Sequence, residues 1–127
     1  MQPNAASAVP VRVVGAVAIR DGRVLMARRP DGRHAGLWEF PGGKVEPGED
    51  DATALQRELF EELAVRSVVG DLVATGSDDR VHLACYRVDL LADPVPLYHD
   101  RLAWVPIPDL GALPTPPADR AAVLALG

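Results

Sequence analysis

With 127 residues the chain is long enough for one domain with a sizeable core and too short for two ordinary ones. Hydrophobic residues make up 48% and charged residues 24%, which excludes a disordered chain, and no apolar run reaches membrane-crossing length. A formal net charge of −5 argues against a broad surface for a nucleic acid polymer, where a basic footprint is expected, yet leaves room for a small anionic substrate beside local cations.

Residues 1–10 lack a basic start and a continuous apolar stretch, so they are expected to form a short flexible tail and not a secretory signal; a cytoplasmic location follows by default. Residues 11–19 are rich in valine and small side chains, and Asp21-Gly22 is a two-residue hairpin signal, so two antiparallel strands are expected. The second, residues 23–29, alternates in such a way that Arg28 and Arg29 fall on opposite faces, and only one of them can face a pocket. Residues 30–36 read as a loop.

The next stretch spaces its charges in a way that folding alone does not require. Gly43 is followed after five residues by Glu49, and after seven more by Arg57-Glu58-Leu59-Phe60-Glu61-Glu62. On a helix, Glu58, Glu61 and Glu62 lie within about 100° of the circumference, and Ala52, Leu55, Leu59 and Leu63 form a neighbouring apolar face. Asp50 or Asp51 supplies an N-cap. Three carboxylates at these spacings repel one another, and no lysine or arginine at those spacings relieves all of them, so a hard divalent cation is the expected neutraliser.

Residues 65–74 and 81–91 are strand candidates joined by the polar turn Gly76-Ser77-Asp78-Asp79. Cys85, the single cysteine, sits in the second with Val81 and Leu83 on one face and reads as a small buried hydrophobe. Residues 102–105 suggest another short strand and 106–110 a brief helical turn. Pro116 and Pro117 suit the first turn of a closing helix whose apolar side carries Ala121, Val123, Leu124 and Leu126. Mixed strands around one central helix imply an α/β sandwich.

The segment from Gly36 through Trp38-Glu39-Phe40-Pro41-Gly42-Gly43-Lys44 to Glu62 resembles the Nudix box: Gly, five residues, Glu, seven residues, Arg-Glu-aliphatic-x-Glu-Glu-x-Gly-aliphatic. One position departs, with Ala64 where the family has glycine at the helix exit, a place suited to positive φ. The loop is similar to that of the MutT-type branch.

The resemblance implies one α-β-α Nudix domain over residues 1–127, and a pyrophosphohydrolase that releases a nucleoside monophosphate and pyrophosphate, with Mg²⁺, or Mn²⁺ in its place, as cofactor. It implies metal ligands at Glu58, Glu61, Glu62 and the Gly43 carbonyl; Arg57 and Glu49 as the pair that orients them; and Lys44 near the phosphates. It also gives Arg28 and Arg29 as a pair of substrate-binding arginines, the second favoured at the nucleotide, with Glu39, Phe40 and Asp119 facing the substrate. Phe40 is equally suited to the core, and Trp38 to packing. An ionised Asp119 only accepts hydrogen bonds, which matches an exocyclic amino group of cytosine or guanine, whereas as a first-turn acid it would serve the helix dipole.

Where MutT-type relatives carry a metal-contacting glutamate, this chain has Tyr98, followed by His99 and Asp100, so the water-activating base stays open. The expected substrate is oxidised deoxyguanosine triphosphate, as in nucleotide pool sanitation, or a cytidine triphosphate. Two alternatives stand beside it: a hydrolase of another nucleoside diphosphate-linked compound, and a Nudix-like nucleotide- or protein-binding module without turnover. No membrane partner is expected, and the chain is read as a monomer or homodimer.

Overall fold

A computed structural model describes residues 10–127, so the tail expected at residues 1–10 lies outside the described residues except for Pro10. Seven strands and two helices follow in chain order: β1 Val11–Arg20, β2 Arg23–Arg28, β3 Trp38–Glu39, β4 Gly42–Lys44, α1 Asp51–Leu63, β5 Ser67–Ser77, β6 Val81–Leu90, β7 Arg101–Pro106 and α2 Arg120–Leu126. Two 3-10 turns, Ile107–Ala112 and Pro117–Asp119, connect β7 to α2.

β1 is the hinge of the architecture. Its alternation sends Val14, Ala16 and Ala18 to a core layer with Leu55, Leu59 and Leu63 of α1, and Val17 to a second layer with Met26, Phe40, Leu83, Cys85 and Val123. One helix therefore covers each face of the mixed sheet, as the α-β-α expectation required. Along its length β1 pairs with β6 in parallel from Val11↔Val81 to Ala18↔Val88. On its other edge it pairs antiparallel with β4 through Val14↔Gly43, and farther on with β2 through Arg20↔Arg23.

The hairpin signal at Asp21-Gly22 acts as read, with φ values of 50° and 73°. The second hairpin differs: β5 runs on to Ser77, so the turn is tighter than four residues, and the β5–β6 register shifts between Val69 and Ala74. β3 and β4, two and three residues long, emerge from what reads as continuous loop, because pairing with β2 and β1 imposes strand geometry on a glycine-rich segment. No described helix is long and apolar enough to cross a membrane.

Candidate active site

Asp50 caps α1, its side chain accepting from Thr53 N at 2.8 Å, and the helix exits through Ala64 at φ 53°, the left-handed conformation that glycine would adopt without cost. Between those ends α1 buries Leu55, Leu59 and Leu63 and brings Glu58 against Gly43 of β4. Gly43 makes that approach feasible. A Cβ built there would lie 2.2 Å from Glu58 Oε2, so the missing side chain is the space the carboxylate uses.

Arg57 ties loop to helix. Its Nε donates to Glu49 Oε2 at 2.7 Å and its NH2 to Glu49 Oε1 at 2.9 Å, a bidentate pair, and NH2 also donates to the Lys44 carbonyl at 3.0 Å. The remaining NH1 reaches Glu58 at 2.9 Å and Glu61 at 3.2 Å. Hydrogen bonds from Arg57 and then from the Glu46 backbone hold the Glu49 carboxyl down at about 2, so it stays ionised. Arg57 thus relieves two of the three helix acids, and no ion pair joins it to Glu62 among the described residues.

Glu62 is the group left over. Burial pushes its carboxyl up to about 7, opposed by nearby His99 and reinforced by Glu58 and Glu39. Burial also raises Glu58, with Arg57 opposing. His99 reaches this region because the segment before it runs along the end of α1, where Val95 N and Leu97 N donate to the Leu63 and Glu62 carbonyls at 2.8 and 3.0 Å. The His99 ring is fully buried, its Nε2 2.9 Å from Glu39 Oε2.

A cleft of about 220 Å³ opens at Gly43, against which Glu58 packs, although Glu58, Glu61 and Glu62 are not themselves among its lining residues. Gly43 and Lys44 line it together with Arg29, Glu39, Phe40, Ala118 and Asp119. Lys44 is exposed, whereas Phe40 is 3% exposed and belongs both to the core and to the cleft wall, which joins the two readings of that residue. Asp119 is 5% exposed; its Oδ2 accepts from Phe40 N at 3.1 Å, and burial pushes its carboxyl up to about 7 against that hydrogen bond. It makes no capping hydrogen bond to α2.

Arg28 and Arg29 separate as the strand alternation requires. Arg29 lines the cleft, whereas Arg28, expected beside it as a substrate contact, is not among the cleft-lining residues and instead pairs with Asp100 at 2.8 Å with its guanidinium over Trp38 at 5.8 Å.

Sequence reasoning did not find His34 and Asp78, which also line the cleft. Arg33 joins their two loops, donating to Asp78 Oδ2 at 2.6 Å, and Asp78 Oδ1 accepts from the backbone of Arg80 and Val81 at 2.8 Å each. A turn aspartate of this kind carries no signal that it borders a site 44 residues away in sequence from His34.

Residues 9–126 match the family model described as NUDIX domain. The chain is 40% identical over 115 residues to the CTP pyrophosphohydrolase of Escherichia coli K12, covering 86% of this chain and 85% of that one. It is 41% identical over 117 residues to the putative 8-oxo-dGTP diphosphatase 2 of Mycobacterium tuberculosis H37Rv, covering 85% and 82%. Among solved structures, that of the E. coli ORF135 protein superposes with a TM-score of 0.79 at 34% identity, over 97% of this chain and 92% of that one.

Proposed function

Because the chain belongs to the NUDIX family and is a MutT-like nucleotide pyrophosphohydrolase, we propose that it cleaves a nucleoside triphosphate to the monophosphate and pyrophosphate, with cytidine or oxidised deoxyguanosine triphosphate as substrate. The observation that carries this reading is that one cleft is lined both by Gly43 and Lys44, beside the acids, and by the buried carboxyl of Asp119. Its volume of about 220 Å³ falls below the roughly 300 Å³ at which drug-sized sites begin, which suits a single base, with the phosphates extending toward Lys44 and the acids.

The donor set fits a hard divalent cation. Glu58, Glu61 and Glu62 offer only oxygen, and Gly43 leaves Glu58 the room of a side chain. Among the described residues no three acidic, histidine or cysteine side chains are already gathered as a cage, which accords with Arg57 holding Glu58 and Glu61. Mg²⁺ or Mn²⁺ bound by these acids would supply charge neutralisation at the phosphate oxygens and lower the pKa of a water. Arg57 and Glu49 fix the helix acids against the loop, the exposed Lys44 brings a cation to the phosphates, and Asp119 offers the base its Oδ1, since Phe40 N occupies Oδ2. When Asp119 is ionised, that oxygen accepts from an amino group such as N4–H₂ of cytosine.

Pyrophosphate release measured with Mg²⁺ across cytidine, guanosine, oxidised guanosine, adenosine and uridine triphosphates tests the reading. One base should be preferred, and Asp119→Ala should lower kcat/KM for it by about ten- to a hundredfold while flattening the preference. An unchanged preference in the variant would move base recognition away from Asp119. No release from any triphosphate would refute the substrate class.

A further inference from the structure

Tyr98 and His99 follow one another yet serve different partners. The Tyr98 hydroxyl accepts a hydrogen bond from Arg29 NH2 at 3.2 Å and donates one to Asp31 Oδ1 at 2.9 Å, and the guanidinium carbon lies 5.9 Å from the ring centroid. On the other side, Arg29 NH1 is 3.4 Å from Glu39 Oε1, and the second oxygen of Glu39 accepts from His99 Nε2. The guanidinium is therefore gripped by a phenol backed by a carboxylate and by a carboxylate backed by an imidazole.

Both grips are long for hydrogen bonds, and Arg29 Nε is buried with no partner among the described residues. An N–H of a permanently charged group that is desolvated and unpaired is an unmet demand for an acceptor. Arg29 lines the cleft and its side chain is 30% exposed, so the accessible part of its guanidinium can meet an anionic oxygen of a bound ligand. Tyr98 is 36% exposed, and its ring makes an edge contact with His99 at 4.9 Å that does not involve the hydroxyl.

The geometry points to Tyr98, backed by Asp31, as a positioning residue that aims Arg29 at a phosphate oxygen of the substrate; this rests on the reading of the chain as a triphosphate pyrophosphohydrolase. Tyr98→Phe removes only the hydroxyl. It should raise KM for the preferred nucleotide by about three- to tenfold with kcat changed less than about twofold, the pattern of lost ground-state binding. In an Arg29→Ala background the same substitution should change KM by less than about twofold, since nothing remains to be aimed. The Nε–Hε resonance of Arg29, followed by ¹⁵N NMR without nucleotide or metal, should shift or broaden in Tyr98→Phe.

An equal KM effect in both backgrounds, or an unmoved KM and Arg29 resonance in the folded variant, would overturn the assignment. If the unsubstituted protein releases no pyrophosphate, the substrate reading falls and the Arg29 resonance alone decides the hold on the guanidinium: moved, it stands, and unmoved, it fails.

Discussion

Gly43→Ala separates the fold from the chemistry. The added Cβ would sit 2.2 Å from Glu58 Oε2, 2.3 Å from its Cδ and 2.7 Å from Oε1, with no backbone atom among these near contacts. Ordinary contact begins near 3.4 Å, so the carboxylate must withdraw by about 1 Å, and it can do so because it is the end of a flexible side chain. Gly43 has no positive φ, so alanine costs the backbone nothing there. Withdrawal breaks the 2.9 Å bond from Arg57 NH1 and misplaces an acid that we propose holds the metal. A displacement of that size costs on the order of a hundredfold in rate. The melting temperature should fall by only a few degrees, as for a loss of about 1 kcal/mol.

Gly42→Ala supplies the contrast: its Cβ would lie 1.9 Å from the Val14 carbonyl oxygen, so the β1–β4 pairing must open and the protein should lose stability first. Thermal melts and pyrophosphate release measured on both variants check this. A folded Gly43→Ala variant with full turnover would refute the idea that the glycine reserves space for Glu58.

Ala64→Gly should stabilise the protein by about 0.5 to 1 kcal/mol in denaturant titrations without changing turnover, because φ is 53° at that exit. Glu62→Gln should lower turnover at least about a hundredfold, measured as pyrophosphate release in Mg²⁺, while the melt is retained. Asp119, whose folded carboxyl titrates near 7, binds its proton more tightly folded than unfolded, so its contribution is favourable below the unfolded value near 4 and is lost as pH rises toward 7. Asp119→Asn should therefore flatten the decline in denaturant stability between about pH 4 and 7, leaving the slope carried by Glu62 and Glu58, and an unchanged slope would count against the burial argument.

The parts of the site legible from sequence are those fixed by local spacing. The acid stripe and a cap at Asp50 or Asp51 follow from helix geometry, and the Arg57–Glu49 pair and the left-handed exit at Ala64 from the resemblance to the Nudix box, all within sixteen residues. The alternation of Arg28 and Arg29 was equally local. What escaped depends on long-range pairing: β3 and β4 exist through β2 and β1, and the Arg33–Asp78 contact closes two loops on one cleft. Tyr98 read as a missing acid; its partners Asp31 and Arg29 lie 67 and 69 residues away, and no periodicity reports such a contact.

The parallel register of β1 with β6 carries a kinetic consequence. Val11 meets Val81 and Ala18 meets Val88, each closing a span of seventy residues, so the strand that separates the two core layers cannot be locked until most of the domain has been presented to it. Non-local parallel pairing of this kind slows refolding toward milliseconds or longer, and meanwhile Val14, Ala16 and Val17 stand open to other unfolded chains. Recovery after dilution from denaturant should therefore depend on protein concentration.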